Sequence, residues 1–224
     1  METEQWSEEF FLIAHNEFTG RPHINRDLLG CGLVAAQFAQ LVASRRLSVV
    51  DGRVAAPPET DSAAGGARAL DTEAQDIDAY VIESVQRQPS GHTVRTWTTS
   101  LADVLHELLG RRLVEAGVVR REQGGGLLRR RPDRFPSVDL LRAARPRLRL
   151  ENMLRRPREL DLQNGFTAAL VWALGVDGVL DPELDRAEAR ELVDEIGERL
   201  PADLQELLAG TRAAVAAVSL TVRR

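Results

Sequence analysis

A chain of 224 residues, 43% of them hydrophobic, is globular in composition and long enough for one sizeable core, which excludes a disordered chain. A lone cysteine, Cys31, excludes an intramolecular disulfide, and 29 basic residues that are all arginine exclude a phosphate-loop lysine, a lysine Schiff base and a Ser-x-x-Lys nucleophile. The net charge of −5 is unevenly spread, with −8 over residues 1–86, +10 over 87–158 and −7 over 159–224. Such a positive middle marks either a surface for phosphate groups and anionic lipid or charge neutralised against acidic neighbours within the fold.

The N-terminus carries acidic residues where a secretory signal would be basic and then apolar, so a cytoplasmic location is expected. Ser7 reads as the cap of a first helix bearing Phe10, Phe11, Ile13 and Ala14, which leads to a turn at Thr19-Gly20-Arg21-Pro22. Asp27 reads as the cap of a second helix over 28–43, where only Gly30, Gly32, Gln37 and Gln40 depart from apolar. A helix without a polar face belongs at the centre of the core, and this one is too short and too interrupted to cross a bilayer. Cys31 on it reads as a buried, inert thiol.

Residues 47–55 carry a β-hairpin signal, with Asp51-Gly52 suited to a type I′ turn. Residues 55–69 read as a surface loop and 70–88 as a helix carrying Ile77, Tyr80, Val81 and Val85. Ser100 and Asp103 match a capping-box variant ahead of a helix whose Leu101, Val104, Leu105, Leu108 and Leu109 share a face; Arg111 and Arg112 suit its last turns and Gly117 its end. Residues 120–135 predict a second, projecting hairpin with a glycine tip. A helix follows from Asp139, with Pro146 expected to interrupt or kink it.

A second apolar helix, 166–174, should pack on the first. Asp181-Pro182 then opens a helix with Leu184, Ala187, Val193, Ile196 and Leu200 as its buried stripe. Two further helices, 203–209 and 211–220, complete a mainly α fold: one domain over 1–224 around two buried apolar helices, with one or two β-hairpins.

Chemistry-bearing patterns are sparse. His15, His23, His92 and His106 lie far apart in sequence and show no metal-ligand spacing, so neither a metal nor another cofactor is expected. Asp177, Asp181 and Asp185 do not match a calcium loop, Gly124–Gly126 lacks the spacing of a dinucleotide fingerprint, and no nucleophile elbow is present. These absences favour a binding protein over an enzyme.

The order of elements resembles the Golgi phosphoprotein 3 family, in particular its actinobacterial members. The resemblance is carried by Phe10-Phe11-Leu12-Ile13-Ala14 with Gly20-Arg21, by Cys31 to Ala36 running to Leu41, and by Arg45 to Val49. It continues through Leu113 to Glu122, Arg134-Phe135-Pro136, Thr167 to Leu170 and the Ala-Val final helix. It implies a compact, mostly helical domain with a β-hairpin, and a peripheral membrane adaptor like the eukaryotic members, which bind phosphatidylinositol 4-phosphate and recruit glycosyltransferase tails. The family's lipid-contacting positions fall at Asn25, Val34, Asp103 and His106 here, where none of the family's residues is kept, and Asp103 would repel a phosphate.

The family's projecting hairpin has an apolar tip, and Leu127 and Leu128 stand in that region beside Arg129, Arg130 and Arg131. The expected function is therefore a peripheral adaptor at the inner membrane face that binds anionic lipid or a phosphoinositide together with a protein partner. Leu127, Leu128, Arg129, Arg130 and Arg131 are its candidate lipid contacts, with Arg21, Arg26 and Arg111 as further cations. The alternative is a protein-interaction or homo-oligomerisation module without lipid binding. Nucleic acid is disfavoured, because the whole chain is acidic and lacks a helix-turn-helix signature.

Overall fold

The computed structural model describes residues 5–56, 77–88, 90–124, 132–156 and 161–222. Eight α-helices and a three-stranded antiparallel sheet are found among them. Helix α1 (Trp6–Ala14) is followed by the central helix α2 (Arg26–Ala43), of whose 18 residues 13 are buried. Helix α2 is packed on several sides, by α1, α4 (Val94–Glu115), α6 (Leu162–Ala173) and α8 (Ala202–Val222). This is the outcome expected for a helix with no polar face.

The two glutamines of α2 explain why Ser7 does not cap α1. Gln40 Oε1 accepts the Trp6 N–H at 2.9 Å, satisfying an amide of the first turn, so α1 begins after Gln5. The Ser7 hydroxyl, now buried inside the helix, donates to Gln37 Oε1 at 2.6 Å. Gln37 and Gln40 in turn donate to Asp78 Oδ1 at 2.6 and 3.2 Å, and Arg46 closes the network as the ion-pair partner of Asp78. Asp78 lies on α3 (Ile77–Gln86), so this network ties α1, α2 and α3 together through groups that would be costly to bury unpaired. The cap of α2 is Asn25, which accepts from Leu28 N at 2.9 Å, while Asp27 stands in the first turn where a carboxylate suits the helix dipole.

The first hairpin forms as expected from strands β1 (Ser48–Val50) and β2 (Arg53–Ala55), with φ of 53° at Asp51 and 69° at Gly52. A two-residue strand β3 (His92–Thr93), too short to be read from sequence, adds to β2. Residues 57–76, which hold most of the expected loop and the start of the expected helix, lie outside the described residues.

Helix α4 begins at Val94 under a Thr93 cap, so Ser100 and Asp103 are not its capping box. Buried Val94 and Trp97 anchor the added turns, and Ser100 Oγ donates back to the Thr96 carbonyl at 3.1 Å. Val104, expected on the buried face, is turned outward. Helix α5 (Leu140–Arg155) is capped by Asp139 and runs through Pro146 without interruption.

Helix α7 (Arg186–Arg199) is capped by Asp185 and not opened by Asp181-Pro182, since Asp181 is held in a turn by the Glu183 N–H and by Arg155. Its buried stripe therefore uses Ala189 in place of the exposed Ala187. The two expected C-terminal helices are one, α8. Gly210 does not end it but faces Val94, whose Cγ2 would lie 2.9 Å from a β-carbon there.

Close approach of α2 and α4 depends on Gly30, because a β-carbon at that position would lie 2.5 Å from the β-carbon of Ala102. Gly30→Ala is expected to destabilise the fold by about 1–3 kcal/mol through overpacking, despite a gain in helix propensity of about 1 kcal/mol. A urea titration measures the change; an equal or higher midpoint would show that the two helices separate at no cost.

Candidate lipid-facing site

Residues 118–124 and 132–138 form the stem of the expected second hairpin. Glu122 and Arg134 exchange both backbone hydrogen bonds at 2.9 and 3.0 Å, and Arg120 N donates to the Pro136 carbonyl at 2.9 Å. One side-chain clamp holds the stem to α4. Arg121 donates to both carboxylate oxygens of Glu107 at 2.6 and 3.1 Å and to Asp133 Oδ2 at 2.6 Å. Asp133 also accepts the Gly124 N–H at 3.0 Å, and that bond first, then Arg121, holds its carboxyl below the usual carboxylate range. The tip residues Leu127, Leu128, Arg129, Arg130 and Arg131 lie outside the described residues.

The stem also rests on the loop between α1 and α2. Phe135 N donates to the Gly20 carbonyl at 3.0 Å and Ser137 N to the Glu17 carbonyl at 2.8 Å. Gly20, at φ 62°, packs directly on the backbone of Phe135 and Pro136 and leaves no space for a side chain. The Phe135 ring fits over Gly110 of α4, where a β-carbon would lie 2.7 Å away.

Asn25 and Arg26 begin α2 beside the middle of α4. The Arg26 guanidinium donates to Asp103 Oδ1 from Nε at 3.1 Å, with a second nitrogen at 3.0 Å; both side chains are well exposed. His106 follows Asp103 by one turn and feels the charge of Arg26. Because α4 begins at Val94, Asp103 and His106 lie in mid-helix and not near a helix start, so the backbone amides beside them are engaged within the helix. Val34 is fully buried in α2, away from this surface. Arg21 is exposed on the α1–α2 loop, and Arg111 stands 3.9 Å from Glu107 near the end of α4.

A family model described as Golgi phosphoprotein 3 (GPP34) matches residues 7–218. The chain belongs to the Golgi phosphoprotein 3 family. No curated protein matches it. The family is one of non-catalytic adaptors. Of the four positions that the sequence resemblance assigns to lipid contacts, Asn25, Asp103 and His106 come to one region, and there the neighbouring cation, Arg26, is engaged by Asp103.

Much of the positive middle of the chain is matched within the fold: Arg112 pairs with Glu8 at 2.6 Å, Arg147 with Glu17 at 3.6 Å, Arg149 with Glu9 and Arg155 with Asp181. Among the described residues no helix is long and apolar enough to cross a membrane, and no group of three or more His, Cys, Asp or Glu side chains is placed to hold a metal.

The histidines, distant in sequence, are not all distant in space. His15 stacks on Phe11 with ring centroids 4.0 Å apart, His106 lies 5.8 Å from His15, and the Phe135 ring meets Phe11, His15 and His106 edge-on. The Phe11–His15 contact was accessible to sequence reasoning as an i, i+4 pair at the C-terminal end of α1; the others join remote segments.

His15 Nδ1–H donates to the Phe11 carbonyl at 2.7 Å, which leaves Nε2 as a buried acceptor without a partner among the described residues. Burial lowers its pKa to about 3, and burial followed by the Arg26 charge lowers that of His106. A histidine held neutral in the fold takes up its proton in the unfolded chain first, so stability falls as pH drops through the ordinary histidine range toward 3. From this residue alone the fold is expected to lose about 2 kcal/mol between pH 7 and pH 5. Denaturant titrations of the chain and of His15→Gln at both pH values check this; equal slopes with pH would mean that His15 is not held neutral.

Proposed function

We propose that the chain is a peripheral membrane adaptor and not an enzyme. It is one domain that meets an anionic lipid surface through its projecting hairpin, residues 120–135, and holds a protein partner on another face. Leu127 and Leu128 enter the bilayer surface, and Arg129, Arg130 and Arg131 meet lipid phosphates beside them. The observation that carries this reading is the bracing of the hairpin stem. Arg121 binds α4 and the opposite arm at once, and two backbone bonds tie the stem to the α1–α2 loop. A tip on such a base transmits its insertion energy to the whole domain. Family membership supports the same reading, since the known members are phosphatidylinositol 4-phosphate-binding adaptors.

Two leucines contribute roughly 3–6 kcal/mol if buried fully, and each nearby arginine adds about 1 kcal/mol on an anionic surface. That sum gives reversible attachment at the inner membrane face. The Arg26–Asp103 pair favours recognition of negative surface charge in general over a dedicated phosphoinositide pocket, because Asp103 both opposes a phosphate and engages the nearest cation.

A second reading, a protein-interaction or homo-oligomerisation module without lipid binding, is favoured by one observation: arginines of the basic middle are already paired with Glu8, Glu9, Glu17 and Asp181 of the acidic ends. Co-sedimentation with vesicles separates the two. The chain is expected to bind vesicles containing phosphatidylserine better than phosphatidylcholine vesicles, and Leu127→Asp/Leu128→Asp is expected to weaken binding about tenfold or more. Equal binding to both vesicles, or an unaffected double variant, would leave the second reading.

A further inference from the structure

A small cavity of about 190 Å³ lies between the end of α1, the α1–α2 loop, helix α5 and Val179. At about 30 Å³ per water it has room for about six waters, which suits a small metabolite and excludes a nucleotide. Leu12, Ile13, Ala143, Ala144 and Val179 give it apolar lining. Glu17, His23 and Arg147 line it as well, so both signs of charge meet an apolar space.

These charged groups are loosely engaged. Elsewhere in the fold Arg121 makes three close bonds to carboxylates, but Arg147 reaches Glu17 only at 3.6 Å, beyond hydrogen-bond length. Among the described residues the one hydrogen bond of Arg147, at 3.2 Å, goes to Glu151. That carboxylate is buried, accepts the Asp181 N–H as well, and does not line the cavity. Glu151 thus holds the guanidinium from behind and leaves most of its five N–H donors unused. The Glu17 carboxylate accepts no hydrogen bond among the described residues; it is the Glu17 carbonyl that takes the Ser137 N–H. The His23 ring stands near both charges. Burial lowers its pKa first, Glu17 and Arg147 act on it in opposite senses, and its N–H bonds the His15 carbonyl. At neutral pH the ring is therefore uncharged, and its other nitrogen is an acceptor.

We propose that this cavity binds a free α-amino acid with an aliphatic side chain. Such a ligand carries a carboxylate and an ammonium on neighbouring atoms, and the cavity sets an arginine and a glutamate side by side. The ligand carboxylate takes the unused donors of Arg147, and the ligand ammonium donates to Glu17 and to the acceptor nitrogen of His23. A side chain of valine or leucine size lies against Leu12, Ala144 and Val179. Simpler ligands fit less well. An acid without an ammonium brings a second anion to Glu17, and an amine without a carboxylate brings a second cation to Arg147. The bound zwitterion bridges Arg147 of α5 to Glu17 and His23 of the α1–α2 loop. Because Ser137 of the hairpin stem donates to that same loop, an occupied cavity joins α5, the loop and the stem.

The test is isothermal titration calorimetry of the full chain with L-leucine, with isoamylamine, which lacks the carboxylate, and with isocaproate, which lacks the ammonium. Leucine is expected to bind saturably with a Kd of about 1 mM or tighter. Each analogue is expected to bind at least about tenfold more weakly, because it leaves one charge of the site without a partner. Glu17→Gln keeps the shape of the side chain and removes its charge without breaking a hydrogen bond, and is expected to weaken leucine binding about tenfold. Ala144→Leu, which puts a larger side chain into the cavity, is expected to abolish it.

No saturable heat with L-leucine at about 10 mM, or leucine binding unchanged in Glu17→Gln, overturns the proposal. Isoamylamine or isocaproate binding as tightly as leucine overturns it too, since the cavity then reads one charge and not two. Vesicle binding is measured separately, so neither result bears on the peripheral reading.

Discussion

Helix α2 sets the terms for the rest of the molecule, because an 18-residue helix with no polar face must be covered on every side. Four helices do this, and they approach closely only because α2 offers small residues where they cross, as at Gly30 against Ala102. The same burial makes Gln37 and Gln40 demanding, since a buried amide without partners costs more than a satisfied one returns. Their partners are Ser7, the Trp6 N–H and Asp78, and Asp78 then needs Arg46. One apolar helix thereby fixes the start of α1, the position of α3 and the conformation of the segment that leads into the first hairpin.

The uneven charge of the chain has a structural purpose as well. Arginines of α4 and α5 reach back to acidic residues of α1, of the α1–α2 loop and of the segment before α7, fastening elements that the core alone would leave free to slide. The partly exposed pairs among them contribute little each, about 0–1 kcal/mol, and their use lies in register more than in stability, whereas Glu9 is buried and its pairing with Arg149 offsets the cost of burying its charge. Arg121 is the case closest to function, because its fork joins α4 to both arms of the hairpin stem and so makes the stem part of the rigid body. Together with the α1–α2 loop, that stem forms the base of the hairpin assigned here to the membrane.

Helix α2, the Asp51-Gly52 turn and the antiparallel stem were legible in the sequence because each rests on neighbouring residues: a run of apolar side chains, a turn dipeptide, two arms around glycines. Local patterns misled where tertiary packing overrode them. Ser100 and Asp103 read as a cap, but buried Val94 and Trp97 extend α4 backward past them; Gly210 read as a break, but it is the contact point for Val94. The candidate site was legible in part. The hairpin leucines and arginines, and Asn25, Val34, Asp103 and His106 as the positions that the resemblance assigns to lipid contacts, were expectations from sequence, and their part in lipid binding belongs to the proposal above. The engagement of Arg26 by Asp103, 77 residues away, was not visible, because it depends on which segments the fold brings together.

The central claim is that the hairpin, with its braced stem and the α1–α2 loop beside it, meets an anionic bilayer. Hydrogen–deuterium exchange of the chain with and without phosphatidylserine-containing vesicles tests it most directly, since it reads backbone protection along the whole molecule. Added protection is expected in residues 16–24, 118–124 and 132–138, with α7 and α8 unchanged. Protection confined to α7 and α8, or none anywhere, would contradict the account.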